Sequence, residues 1–291
     1  MDKLNAFQQQ METAGYVAER SLASSLLLMD ALHRPLLLEG DAGVGKTEVG
    51  KMLARLHQCE LIRLQCYEGL DVNSTIYEWN YQRQLLAIKL MENNDDGIEQ
   101  REQAIFSERF LLERPLLRSI SQEASPVLLI DEIDRTDEEF ESYLLELLSD
   151  FQISIPELGT INAKTIPRVV LTSNGTRELS DALRRRCLYY FLDYPSYEKE
   201  LHILQLHMPD AGRTLAGQIV NFVQQLRQED LRKTPGIAET LDWTAALMNL
   251  EVQNLNRSVD EIYGTLVCLL KTREDRETVT REMIGAIATT L

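Results

Sequence analysis

The feature that most restricts the fold is an eight-residue stretch, Gly40-Asp41-Ala42-Gly43-Val44-Gly45-Lys46-Thr47, which fits the pattern GxxxxGK[ST]. An apolar run, Leu36–Leu38, precedes it, and a helical pattern, Thr47–His57, follows it. A strand feeding a glycine-rich turn that opens a helix is the context in which this pattern has a mechanism. The glycines let backbone N–H groups curl around phosphate oxygens, and the helix N-terminus adds a favourable partial charge. Lys46 then reaches the β- and γ-phosphates, and the Thr47 hydroxyl ligates Mg2+. The implied ligand is a nucleoside triphosphate.

Four more short apolar runs, Leu61–Leu64, Val127–Ile130, Val169–Thr172 and Tyr189–Leu192, predict strands buried on both faces of a parallel sheet. Helical patterns lie between them at Arg109–Gln122 and Glu138–Ser149. In the second, Phe140, Leu144, Leu145, Leu147 and Leu148 share one stripe. This alternation predicts an α/β fold with right-handed crossovers. Two interruptions read as a polar loop tip at Glu92–Gln103 and a β-hairpin at Gln152–Ala163. After Tyr194-Pro195 the strand signals stop. Helical patterns follow at Ser196–His207, Leu215–Arg227, Ala238–Leu250, around Ile262–Leu270 and at Glu277–Leu291. The expected organisation is an α/β domain over 1–194 and an all-helical domain over 195–291.

The run Val127-Leu128-Leu129-Ile130 ends in Asp131-Glu132. With a phosphate loop upstream, Asp131 at the strand's carboxyl end would hold the Mg2+ shell, and Glu132 would polarise the attacking water. Asn174 ends the next apolar run. It either holds water or the γ-phosphate, or simply forms a turn with Gly175. The triplet Arg184-Arg185-Arg186 closes a helix. It either complements the helix dipole or supplies an arginine finger to a neighbouring subunit.

A net charge of -16 over 291 residues repels phosphate backbones, which disfavours unspecific nucleic-acid binding without excluding a local phosphate site. The longest stretch free of charge and histidine, Thr214–Leu226, is too short and polar to span a bilayer. The N-terminal MDKLNAFQQQMETAG lacks the layout of a signal peptide. Cys59, Cys66, Cys187 and Cys268 form no CxxC pair, so reduced thiols in a cytoplasmic protein are expected. His202 and His207 are not at HExxH spacing, and His33 and His57 have no partner pattern. No metal is expected beyond nucleotide-bound Mg2+.

The order GDAGVGKT, VLLIDE, VVLTSN, DALRRRC and a helical tail resembles the AAA+ ATPases. More narrowly, Asp131-Glu132-Ile133-Asp134-Arg135 is similar to the DEI[DN]R motif of the MoxR family. The segments LIRLQCYEGLD (61–71), YEWNYQRQLL (77–86) and FSERFLLERPLLR (106–118) resemble the branch found beside carbon-monoxide-dehydrogenase-like molybdenum hydroxylases. The likeness covers about residues 15–270. It implies a P-loop NTPase fold with a central parallel sheet flanked by helices and a C-terminal helical lid. It also implies ATP and Mg2+ as ligands, a homo-oligomeric and usually hexameric ring, a von Willebrand A-domain partner and a client metalloenzyme. On the same ground Asn174 takes the sensor-1 role, and Arg185 or Arg186 is the finger. Residues about 70–105 form the helix-2 insert, and about 151–163 the hairpin before sensor 1. Trp79 and Tyr81 in the insert either touch a substrate protein or pack internally.

One departure concerns the lid. Many relatives supply a sensor-2 arginine at a helix start, yet Thr234–Asp242 contains none, and Glu239 stands near that position. Arg232 or Lys233 substitutes, or the role is absent. The function implied is an ATP-driven remodelling chaperone that matures a metalloenzyme. The alternatives are a nucleic-acid-directed motor, which the acidic balance opposes, and a binding switch, which the intact Lys46, Asp131 and Glu132 oppose.

Overall fold

The computed structural model describes residues 3–71, 73–91, 104–255 and 259–289; the loop expected at Glu92–Gln103 lies outside them. The chain divides into two compact units. One comprises 20–39 and 50–191, the other 1–19, 40–49 and 192–291.

The first unit is built on strands β1 (Leu36–Glu39), β2 (Leu61–Gln65), β5 (Val127–Asp131), β8 (Arg168–Ser173) and β9 (Leu188–Phe191), all parallel and ordered β2-β5-β8-β1-β9. The five runs expected to be strands are these five. The three central strands are buried almost throughout, because residues with no polar face satisfy both sides of a covered sheet. The two edge strands differ from the expectation. In β2 and β9 burial alternates, leaving Arg63, Tyr189 and Phe191 outward. Helix α2 (Arg20–Leu32) packs on β1 and β9.

Helix α7 (Glu138–Asp150) starts where the Asp137 carboxylate accepts the Phe140 N–H at 2.8 Å, and it buries Phe140, Leu144, Leu147 and Leu148. The hairpin expected at Gln152–Ala163 is present as antiparallel β6 (Gln152–Ile155) and β7 (Gly159–Asn162). The helix expected over Arg109–Gln122 is not. A 3-10 turn (Glu108–Phe110) leads into β4 (Leu111–Glu113), and only Pro115–Ser121, α6, is helical. Pro115 opens that helix and forces Arg114 to be extended, while β4 pairs with β3 (Tyr77–Trp79) far away in sequence. Trp79 is 6% exposed and makes edge-to-face contacts with Tyr77 and Phe106, so it belongs to the core. Tyr81, which opens α5 (Tyr81–Met91), is exposed.

The other unit gathers α1 (Lys3–Thr13), α9 (Tyr197–His207), α10 (Arg213–Leu226), α11 (Ile237–Asn249), α12 (Val259–Thr265), α13 (Arg273–Thr278) and α14 (Arg281–Thr289). Its core centres on Phe222 and Trp243, whose rings lie 4.9 Å apart; the indole N–H donates to the Thr265 hydroxyl at 2.8 Å. The pattern expected to run from Glu277 to the end breaks at Val279, which is extended and buried, and Thr280 accepts the Met283 N–H to restart the helix. Within this unit Glu200 is 1% exposed and receives both terminal nitrogens of Arg227 at 2.6 Å, with further bonds from Gln224 and Thr240. Arg227 also donates to the Pro235 carbonyl at 2.8 Å, which fixes the turn ahead of α11.

Candidate active site

The loop from Gly40 to Gly45 leads from β1 into α3 (Lys46–His57). Gly43 and Gly45 have φ of +84° and +97°, a region closed to most side chains. Gly43 also abuts Gly236: a Cβ on Gly43 would lie 2.9 Å from the Gly236 Cα. The Ile237 N–H donates to the Gly43 carbonyl at 3.0 Å, so the first turn of α11 is bonded to the loop. Lys46 is 7% exposed, and its ammonium donates to the Gly40 and Asp41 carbonyls at 2.5 and 2.7 Å. These are acceptors it can exchange for phosphate oxygens.

A cavity of about 390 Å³ opens beside the loop, lined by Asp41, Gly43, Tyr194, Arg232, Lys233 and Lys271 among others. The backbone N–H groups of Arg232 and Lys233 are held by the buried Asp275 carboxylate at 2.7 and 3.2 Å. Glu239, standing near the expected sensor-2 position, accepts the Gly236 N–H at 3.0 Å and caps α11.

In the sheet unit, Asp131 ends β5 and is 3% exposed. Its Oδ1 accepts the Thr172 hydroxyl at 2.5 Å, and its Oδ2 accepts Arg63 Nε and Nη2 at 3.1 and 2.5 Å. Thr172, on the adjacent strand β8, accepts the Glu132 N–H at 2.9 Å. Glu132 is held left-handed (φ 57°, ψ 49°), a strain on the order of 1 kcal/mol that turns its carboxylate out of the strand line. That carboxylate meets Arg135 at 2.7 Å.

Asp134 is 3% exposed and accepts the N–H groups of Asn174 and Thr176 at 3.2 and 3.0 Å and the Thr176 hydroxyl at 2.6 Å. Burial opposes its ionisation, but these bonds prevail and hold the carboxyl below its ordinary range. The carboxyl ends of β5 and β8 thus bring Asp131, Glu132 and Asn174 together through Thr172 and Asp134.

The arginine triplet ends α8 (Asp181–Arg186). Arg184 pairs with Glu39 at 3.4 Å, and Arg186 donates to the Ser149 hydroxyl and the Ala182 carbonyl. The exposed Arg185 guanidinium has no hydrogen bond or ion pair among the described residues. The cysteines are all unbridged, and burial pushes the Cys66 and Cys187 thiols up to about 12, far from thiolate chemistry.

The residues that sequence reasoning missed are Arg63, Thr172 and Asp134 as supports, and Gly236 as the loop's neighbour. Arg63 had a signal, a lone cation inside an apolar run.

The donor set fits Mg2+ carried on a nucleotide. That ion needs only one or two protein oxygens beside phosphates, and Asp131 offers a buried, oriented carboxylate. Among the described residues no three His, Cys, Asp or Glu side chains cluster into a metal cage of their own. Nor, among them, is any helix long and apolar enough to cross a membrane.

Comparison with known proteins finds several relatives. "Gas vesicle ATPase GvpN1" of Halobacterium salinarum is 22% identical over 246 residues, 81% of this chain and 66% of that protein. An uncharacterized protein of Staphylococcus aureus is 25% identical over 227 residues, 75% and 77% of the two chains. The chain spans slightly under two thirds of the gas vesicle ATPases it matches. Among solved structures, the Thermotoga maritima RuvB Holliday junction branch migration motor aligns with a TM-score of 0.45 and 17% identity over 89% of this chain and 68% of that one. Residues 35–187, over half the chain, match the AAA domain, dynein-related subfamily. With its five-stranded parallel sheet flanked by helices and its phosphate loop, this chain belongs to that family and carries an ATPase domain that uses ATP with Mg2+.

Proposed function

We propose that the chain is a MoxR-type AAA+ chaperone that spends ATP hydrolysis on remodelling or maturing a client metalloenzyme. Residues 1–194 are its nucleotide-binding domain and 195–291 its lid. The backbone N–H groups of Gly40–Thr47 hold the phosphates, and Lys46 exchanges its two carbonyl partners for phosphate oxygens. Thr47 and Asp131 would hold Mg2+, which would offset phosphate charge when bound. Glu132 takes the proton of the attacking water as its oxygen bonds the γ-phosphorus and the bond to the bridging oxygen breaks. Asn174 orients that water. Arg185 supplies the finger to a neighbouring protomer; its uncommitted guanidinium favours it over Arg186, which is engaged with Ser149 and Ala182.

The observation that carries this reading is the end of β5. A buried Asp131 is followed by a Glu132 turned out of line, with its N–H bound to the neighbouring strand. Glu132→Gln is expected to keep ATP binding and lose at least about 100-fold in phosphate release. Unchanged release removes Glu132 from the role. Mixing Arg185→Ala with Lys46→Ala subunits tests the shared site, since activity restored in mixed rings shows a finger acting in trans.

Proteins of this family typically assemble as rings, and a hexamer in the cytoplasm is the form proposed. Asp131–Arg135 and segments 61–71, 77–86 and 106–118 support the branch that serves carbon-monoxide-dehydrogenase-like molybdenum hydroxylases with a von Willebrand A-domain partner. Relatives named as gas vesicle ATPases do not narrow the client. ATP-dependent co-elution of the purified chain with an encoded von Willebrand A protein tests the partner. Tight DNA binding at low salt would favour a motor instead.

A further inference from the structure

The Asp131 carboxylate already has a cation. Arg63 Nε and Nη2 both donate to Oδ2, at 3.1 and 2.5 Å, and Oδ1 is taken by the Thr172 hydroxyl. Thr172, on the adjacent central strand, also holds the acid, and Arg63 stands on the edge strand β2. The pair is lopsided: the Arg63 side chain is 46% exposed and that of Asp131 4%. A second acceptor for the guanidinium is in place, because Nη2 also donates to Gln65 Oε1 at 2.6 Å. A guanidinium leaving Oδ2 would therefore keep Gln65 and gain water, at little desolvation cost.

We propose that Arg63 is a positioning residue that competes with Mg2+ for the Asp131 carboxylate and so sets the Mg2+ concentration at which nucleotide is taken up. The inference rests on the reading of Asp131 as the acid that holds the nucleotide's metal. Two cations sharing one carboxylate repel each other, so Mg2+ must either displace Arg63 or bind against it. A merely structural Arg63 predicts no such competition.

The test uses the full chain carrying Glu132→Gln, with a fluorescent non-hydrolysable ATP analogue titrated at a series of Mg2+ concentrations and again in EDTA. Arg63→Met is expected to lower the Mg2+ giving half-maximal binding by on the order of tenfold. Affinity in EDTA should change by less than about twofold. Arg63→Gln should behave likewise, and Arg63→Lys, which keeps the charge, should restore most of the original Mg2+ requirement. An unchanged or higher Mg2+ requirement in both neutral variants overturns the proposal. So does an equal shift in EDTA. Asp131→Asn separates the two readings. If it leaves Mg2+ dependence intact, the metal role of Asp131 fails and Arg63's with it. If it removes the dependence while Arg63→Met changes nothing, only the competition is wrong.

Discussion

Two arginine–carboxylate pairs, one in each unit, are alike in chemistry and opposite in setting. Glu200 and Arg227 are both buried, their side chains 1% and 5% exposed, and every polar atom of the carboxylate is engaged. Arg227 extends the network to the Pro235 carbonyl and stacks over Tyr194. Asp131 is equally buried, but its arginine comes from an edge strand and is nearly half exposed. The first pair has nowhere to go; separating it strands a charge in low dielectric. The second can exchange its cation because the departing arginine keeps Gln65 and reaches water. Burial of the acid alone does not distinguish a structural pair from a replaceable one. Exposure of the base does.

The contrast can be broken by stability measurements. Arg227→Met, which leaves Glu200 buried without its cation, should cost about 3–5 kcal/mol in denaturant unfolding. A loss similar to that of an exposed pair would erase the distinction. Gly236→Ala places a Cβ 2.6 Å from the Gly43 Cα. It should cost about 1–3 kcal/mol and weaken ATP-analogue binding, whereas an unaffected affinity would mean the loop does not feel α11.

Asp134→Asn sharpens the contrast on the sheet side. The depressed carboxyl of Asp134 contributes stability that is present above the ordinary carboxylate range and is lost as pH falls through its folded value. The wild-type chain should therefore lose stability from about pH 4 downward more steeply than the asparagine variant; parallel acid limbs would contradict this. The smallest effect is expected for Arg63→Met, under about 1 kcal/mol in unfolding. A loss as large as that of Arg227→Met would make Arg63 structural.

The legible parts of this molecule are those written in short range. The glycine loop, its flanking strand and helix, the apolar run into Asp131-Glu132 and the Gln152–Ala163 hairpin each carry their instruction within a dozen residues. What was not legible depends on distant partners. Leu111–Glu113 reads as helix by its own composition and is a strand because β3 pairs with it. Sequence alone leaves Trp79 either touching a substrate protein or packing internally, and its edge contact with Phe106 is what places it in the core. Arg63 lies inside a short apolar run that predicts burial on both faces; its contact with Asp131 depends on β2 being the sheet edge beside the end of β5. Asp134 lay inside a recognised motif, yet its work of holding the Asn174 turn is done across two strands.

The backbone contact between Gly43 and Gly236 leaves no side chain between them to absorb a displacement. Two main chains touching directly leave the first turn of α11 no room to close further on the phosphate loop. A larger residue at either glycine would have to be matched by a shift of the opposing backbone.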